Sequence, residues 1–396
     1  MKKRLLATYL KRDAGFYPIV TLTGPRQSGK TTLARLTFPK HAYVSLEEPD
    51  QRAFAKEDPK GFLKRFEQGA ILDEVQRVPE LFSYLQTAVD ADATPGRFVL
   101  TGSHNFLLME QVSQSLAGRC GILHLLPFSR AELEEQAQPE PVHPRELFAN
   151  KKTQLALWET IFTGFYPRIH DRQIPAPVWL ADYVQTYLDR DVRQLVHVGD
   201  LDTFARFLKL CAGRAGQLLN YSSLALDAGI SVDTARRWIS VLAASFIVFL
   251  LPPYHRNFNK RLTKTPKLYF YDTGLAAHLL GLREAGQLAD HAQRGALFEN
   301  YAVAEVAKAY YHHRRQPALY FWRDLTGHEV DLLIEEGREL LAVEFKSTQT
   351  VTSDLLDTLR WWQQTSRQPA ESACLLYGGD ERYTRHDFAV LPWFAV

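Results

Sequence analysis

The apolar positions of this chain fall in short runs separated by amphipathic stretches. Ile19, Val20, Thr21, Leu22 and Thr23 make a β-branched run, followed by a glycine-containing turn and then a helical pattern. Residues 42–46, 70–72 and 97–101 are further short apolar runs, with helical periodicities such as 79–89 between them. Strands alternating with helices predict an α/β fold, a parallel sheet with helices on both faces. Residues 136–144 carry three prolines among polar side chains and predict a linker. A mostly helical stretch then runs to about residue 200. Residues 220–271 predict two helices and a pair of strands: a short helix over 224–228, a turn at Gly229, and Ser231 capping a second helix. In that second helix Val232, Ala235, Trp238, Ile239 and Leu242 share one face, which is core. From about residue 290 a long helix, two strands and another helix predict a separate α/β unit. The boundaries expected are 1–135, 136–200, 201–284 and 285–396.

Composition narrows the classes. Hydrophobic residues make up 46% and aromatics 12% of 396 residues, enough for well-formed cores and against bulk disorder. Lys and Arg number 47 against 45 Asp and Glu, so the net charge of +2 excludes a uniformly basic coat for nucleic acid but not a local basic site. Three scattered cysteines, Cys120, Cys211 and Cys374, exclude a disulfide scaffold or a paired-cysteine zinc site and suit a reducing compartment. The basic start is followed by an apolar run too short for a signal peptide, cut by Lys11, Arg12 and Asp13. The most apolar stretch, 241–251, ends at Pro252 and Pro253, well short of the roughly 20 residues a spanning helix needs. A cytoplasmic protein without a membrane partner is expected.

The clearest chemistry is the segment Gly24, Pro25, Arg26, Gln27, Ser28, Gly29, Lys30, Thr31 and Thr32. It fits G-x-x-x-x-G-K-[ST] between a strand and a helix. The glycines let backbone N–H groups turn toward phosphate oxygens, and the helix start offers them its positive dipole end. Lys30 would neutralise β- and γ-phosphates, and Thr31 would hold Mg2+. A strand ending in Asp73 and Glu74 follows about forty residues later. There Asp73 would support the Mg2+ and Glu74 would polarise the attacking water. Ser103, with His104 and Asn105, ends the next strand and could sense the γ-phosphate, or simply make a turn. Arg119 could stabilise transition-state charge, in its own chain or in a neighbour's site, which would imply self-assembly; a plain surface arginine is the alternative.

These phrases, with Leu72 to Gln76, Leu100 to Ser103 and Leu116 to Arg119, resemble the AAA-type P-loop ATPases of bacteria and archaea that carry a C-terminal domain of unknown function. Gly164-Phe-Tyr-Pro-Arg168, Phe270-Tyr-Asp-Thr-Gly274 and Gly295-Ala-Leu-Phe-Glu-Asn300 are similar to phrases of that C-terminal domain. The resemblance covers nearly the whole chain. It implies an AAA-like core, a helical connector, a winged-helix segment and a restriction-endonuclease-like α/β domain. It says little about biological role.

Two further features fit that layout. Between Asp233 and Asp272 there is no acidic residue, while Arg236, Arg237, Arg256, Lys260, Arg261, Lys264 and Lys267 put a local charge of +7 there. Clustered Lys and Arg are what phosphate contacts use, so DNA is the expected partner; contact with a protein is the alternative. In the last unit, Asp331 can approach Glu344 across a hairpin whose loop spans 335–339, and Lys346 shares the face of Glu344. Two carboxylates would meet one Mg2+, with Lys346 orienting water and Glu299 as a further carboxylate. This arrangement resembles the D…(E)-x-K site of restriction-endonuclease-like folds. Taken together, Mg2+-dependent ATP binding and hydrolysis acting on DNA is expected. The alternative is an ATP-switched protein-binding module with a catalytically inactive nuclease-like scaffold.

Overall fold

The computed structural model describes residues 2–103, 112, 114–149, 152–187, 201–254, 264–324 and 326–396. The chain divides into two compact units. The first is Met1–Phe128 with Ala244–Phe246 and Tyr311–Arg315; the second is Ser129–Ala243, Ile247–Tyr310 and Gln316–Val396.

The first unit is built on five parallel strands: β1 (Ile19–Thr23), β2 (Ala42–Ser45), β3 (Ala70–Asp73), β4 (Phe98–Gly102) and β5 (Cys120–His124). Their order is β2-β3-β4-β1-β5, with Thr23 opposite Gly102 and His124, and Asp73 opposite Thr101. Every residue of β1, β3 and β4 is buried, which explains why they read as continuous apolar runs rather than as alternation. Helices α1 (Leu6–Asp13) and α2 (Lys30–Thr37) contribute Leu6, Leu10, Leu33 and Ala34 to a core with Val20, Leu22, Ile71 and Val99. Helices α3 (Pro49–Glu57), α4 (Pro59–Lys64) and α5 (Leu81–Ala91) contribute Ala55, Phe62, Leu81, Phe82 and Leu85 to a second core with Ile19, Leu72 and Leu100. Strand alternation separates these two sets, so one sheet is covered on both faces. Because β4 lies between β1 and β3, the loop after β1 and the carboxylates after β3 flank the end of β4.

The second unit opens with helices α6 (Arg130–Leu133), α7 (Leu157–Thr163), α8 (Pro167–Arg172), α9 (Ala176–Tyr187), α10 (Leu201–Ala212), α11 (Tyr221–Ala228) and α12 (Val232–Ala244). Asn220 caps α11, Gly229 ends it at φ 73°, and the Ser231 hydroxyl accepts from the Thr234 N–H at 3.0 Å to start α12. The antiparallel pair β6 (Val248–Leu251) and β7 (Lys267–Phe270) follows. Then come α13 (Thr273–Leu279), α14 (Ala285–Asp290) and the long α15 (Arg294–His312). The C-terminal sheet holds β8 (Leu319–Arg323), β9 (Glu329–Glu336), β10 (Glu339–Lys346), β11 (Ala373–Tyr377), β12 (Tyr383–Arg385) and β13 (Phe388–Pro392), with α16 (Asp357–Ser366) between β10 and β11. Its order is β12-β13-β11-β10-β9-β8, mixed parallel and antiparallel. The β9–β10 hairpin is tighter than expected, because both strands extend into the anticipated loop and only Gly337, at φ 60°, and Arg338 remain in the turn.

The three phrases of the C-terminal resemblance meet within this unit. Asp272 accepts hydrogen bonds from the Leu275 N–H at 2.8 Å and the Phe165 N–H at 2.7 Å. A side chain on Gly164 would collide with that carboxylate and with Gly274. Asn300 accepts from the Phe270 N–H and donates to the Phe270 carbonyl, both at 2.8 Å, clamping β7 to α15. These residues are structural fasteners. Among the described residues no helix is long and apolar enough to cross a membrane.

Candidate functional site

The loop between β1 and α2 brings Gly24 to Thr32 together by local chain order alone. A side chain on Gly24 would collide with the carbonyl oxygen of Leu125, so only glycine fits there. Gly29 takes φ 92° with open space beside it, and Gln27 takes φ 61°. Pro25 is buried, Arg26 half-buried, and Gln27 and Thr32 exposed. Ser28 is fully buried with no partner for its hydroxyl. The Lys30 ammonium donates to the carbonyl oxygens of Gly24 at 3.0 Å and Pro25 at 2.7 Å, so the lysine lies across its own loop.

The loop and the acidic strand are directly joined. The Thr31 hydroxyl donates to Asp73 at 3.1 Å (Oδ1) and 3.0 Å (Oδ2). Tyr43 donates to Asp73 Oδ2 at 2.8 Å, and Thr101 donates to Oδ1. Burial first, then the Asp73 charge, push the Tyr43 phenol up to about 12. Glu74 sits at φ 56°, and its Oε2 accepts from Gln76 at 2.5 Å and Ser103 at 3.1 Å. Tyr43 escapes a reading by motif; Thr101 and Gln76 lie inside phrases of the resemblance, which gives neither of them a role.

Arg119 is not brought to this site. It precedes β5, and its carbonyl accepts from the N–H of Ile19, at the start of β1. The phosphate loop lies at the other end of these parallel strands, and the Arg119 guanidinium is engaged by Asp90 (Nη2 to Oδ2, 2.9 Å). A role for Arg119 within its own chain's site is therefore corrected. His104 and Asn105 lie outside the described residues.

In the second unit the β9–β10 register carries Asp331 toward Glu344, and Asp331 Oδ2 accepts from the Phe345 N–H at 2.9 Å. Lys346 donates to Glu344 Oε1 at 2.6 Å, and Glu344 Oε2 is buried without a partner. Burial, then Asp331, raise Glu344 to about 8 against the pull of Lys346; burial and Asp331 raise Glu299 to about 7. All four expected residues share one electrostatic cluster. The expectation for Lys267 is overturned. It is 2% exposed, and its ammonium lies 2.9 Å from Glu299, 2.5 Å from Glu329 and 3.9 Å from Asp331. Strand alternation turns it inward with Tyr269, which donates to the same Glu299 oxygen at 2.5 Å. The cluster does not fit a divalent metal as it stands, because an ammonium sits among its oxygens. Among the described residues no three His, Cys, Asp or Glu side chains converge as a metal-binding group.

Of the other basic residues, Arg236, Arg237 and Lys264 are exposed. Arg236 lies 3.8 Å from Asp233 and over the Tyr221 ring. Arg256, Lys260 and Arg261 lie outside the described residues.

Comparison with known proteins agrees with this geometry. An AAA domain model matches residues 17–134, one domain of unknown function (DUF8612) matches 154–286, and another (DUF4143) matches 294–396. Uncharacterized proteins of Mycobacterium tuberculosis and Mycobacterium bovis are each 30% identical over 353 residues, covering 88% of this chain and 75% of theirs. The chain belongs to the AAA-type P-loop ATPases that end in this domain of unknown function. Among solved structures, this ATPase is similar to a Walker-type ATPase of Pyrococcus abyssi (16% identity, 69% of this chain and 94% of that one, TM-score 0.40). A RuvB variant of Thermotoga maritima is also similar (21% identity, 63% and 87%, TM-score 0.31). Those likenesses are distant, and the assignment rests on the family matches and the relatives.

Proposed function

We propose that this ATPase binds ATP with Mg2+ at residues 24–32 and hydrolyses it. The observation that carries the reading is the hydrogen-bonded pair of Thr31 and Asp73, which joins the phosphate loop to the acidic strand. The donor set fits the group: one hydroxyl and one carboxylate are what a protein offers Mg2+ when phosphates and water complete its shell. Thr31 and Asp73 would hold the Mg2+, which would supply positive charge against the charge developing on the phosphates. Lys30 exchanges its two loop carbonyls for phosphate oxygens. The buried Ser28 hydroxyl and the loop N–H groups face the same anion. Glu74, held by Gln76 and Ser103, orients the attacking water and accepts its proton, and Ser103 reports on the γ-phosphate from the end of β4. The test is turnover and nucleotide binding in Lys30→Ala and Glu74→Gln. Lys30→Ala should lose binding, whereas Glu74→Gln should bind ATP and turn over at least about a hundred-fold more slowly. A Lys30→Ala protein as active as wild type refutes the reading.

We further propose that the second unit contacts DNA through α12 and the adjoining hairpin as a winged helix. Exposed Arg236 and Arg237 on a helix that follows a Gly229 turn favour it. Measuring ATPase activity with and without DNA tests partnership and coupling together; no change in rate and no binding would leave protein contact as the use of this surface. Cleavage of DNA by Asp331, Glu344 and Lys346 is disfavoured, because Lys267 already neutralises Glu299 and Glu329 beside them. This favours the catalytically inactive nuclease-like scaffold of the alternative and leaves the readings of ATP turnover and DNA contact as they stand.

A further inference from the structure

Lys267 occupies an unusual position for a lysine from a basic segment. Its ammonium meets carboxylates from two elements, Glu299 on α15 and Glu329 and Asp331 on β9, and the Phe321 ring of β8 lies 5.5 Å away. Its strand is anchored independently, by Asn300 on the Phe270 backbone and by Tyr269 on Glu299. The backbone that carries the lysine is therefore held beside these carboxylates by contacts other than the lysine's own. A Mg2+ ion binding these oxygens would need them at about 2.1 Å, in the volume where the ammonium stands. A lysine has three donors and no acceptor, so this one satisfies several carboxylate oxygens and compensates their charge at once.

We propose that Lys267 is the resident cation of the Glu299, Glu329 and Asp331 carboxylates, filling the volume in which a divalent metal would have to reach Glu299 and Asp331 together, so that the second unit is a metal-independent scaffold with β7 locked to α15 and β9. The lock runs through side chains of three elements: Lys267 and Tyr269 of β7, Glu299 of α15, and Glu329 and Asp331 of β9. Glu344 and Lys346 lie beside it and form their own ion pair. Nothing in this depends on nucleotide hydrolysis in the first unit.

The experiment is Mn2+ binding by the full-length protein, read by electron paramagnetic resonance, with Asp73→Asn in every sample to remove the metal support of the phosphate loop. With Lys267 intact, Mn2+ binding should be the same whether or not Asp331→Asn is added. Lys267→Met should gain one Mn2+ per chain, lose it again when Asp331→Asn is added, and melt at a higher temperature in Mn2+ than in EDTA. Two results overturn the proposal. One is an Asp331-dependent Mn2+ in the protein that keeps Lys267. The other is a folded Lys267→Met protein, judged by circular dichroism, that gains none. If Lys267→Met does not fold, the protein that keeps Lys267 decides alone: Asp331-independent binding, with no Mg2+- or Mn2+-dependent DNA cleavage abolished by Glu344→Gln, supports the lock, and Asp331-dependent Mn2+ binding or such cleavage refutes it.

Discussion

Glu344→Gln separates charge from shape at the most deeply buried carboxylate of the C-terminal cluster. Glu344 is 4% exposed, with one oxygen on Lys346 and the other buried without a partner. Burial, reinforced by Asp331 and Glu299 and opposed by Lys346, raises its pKa from 4.5 to about 8. A carboxyl so raised holds its proton more tightly folded than unfolded. Its contribution to stability is complete below about pH 4.5 and is lost as the pH climbs through about 8. At about 1.36 kcal/mol per unit the whole window is worth ~5 kcal/mol. Glu299 competes for protonation beside the same Asp331, so the window belongs to the pair; divided between the two carboxyls it leaves roughly 2–3 kcal/mol for Glu344. Glutamine mimics the protonated acid at every pH. The variant should therefore match wild type within about 1 kcal/mol near pH 5 and exceed it by roughly 2–3 kcal/mol near pH 9. For a unit of this size that is a rise of roughly 4–12 °C in the melting temperature at alkaline pH. Calorimetric melts across the pH range at one salt concentration read it directly. A difference that stays constant with pH, or a glutamine variant less stable than wild type at alkaline pH, refutes the reasoning.

Three other expectations follow from particular contacts. Tyr43→Phe removes one hydroxyl donor from Asp73, a bond worth about 1 kcal/mol, and should raise the Mg2+ needed for half-maximal ATP turnover roughly five-fold while leaving metal-free nucleotide binding alone; an unchanged Mg2+ requirement counts against Tyr43 as a positioning residue. Arg119→Ala should leave turnover of dilute protein within about two-fold, because it removes an exposed ion pair with Asp90. A ten-fold loss would reverse that placement, and a loss growing with protein concentration would assign the arginine to a neighbour's site. Arg236→Gln with Arg237→Gln should flatten the dependence of log DNA affinity on log salt by about 2, measured by fluorescence anisotropy; an unchanged slope removes α12 from the DNA contact.

The first site was legible because its chemistry is local. A strand, a glycine turn, Lys30 and Thr31 are consecutive, and Asp73 and Glu74 announce themselves at the end of an apolar run. Tyr43 was not, because its reach to Asp73 depends on the pairing of β2 with β3, which no local pattern encodes. Arg119 was misplaced for a related reason. Its neighbours in sequence suggest a residue shortly after a nucleotide-sensing strand, but β5 begins at Cys120 and runs parallel to β1, so an arginine before it must lie at the opposite end from the loop. In the C-terminal sheet two of the six strands are legible in the sequence. The short β11, Ala-Cys-Leu-Leu-Tyr, is an apolar run that periodicity cannot tell from a piece of helix. Glu329 carries no local signal, because its significance comes from Lys267, which is brought to it only by the fold.

The basic segment shows why a charge count along the chain is not a surface charge. Seven positive residues without an acidic neighbour read as one patch, yet strand alternation sends Lys267 inward to carboxylates that come later in the sequence. Burial alone would pull that ammonium down, but Glu299, Asp331 and Glu329 outweigh it and hold its pKa above the ordinary lysine range. Arg236, Arg237 and Lys264 remain at the surface, where a phosphate can reach them. The two groups must fail differently when neutralised. Loss of a surface arginine weakens a salt-sensitive contact on an intact fold, whereas loss of Lys267 leaves buried carboxylates uncompensated and destabilises the unit itself. A Lys267 variant judged by DNA affinity alone would therefore record unfolding as a lost contact, so its melting curve has to be measured before its affinity carries any meaning.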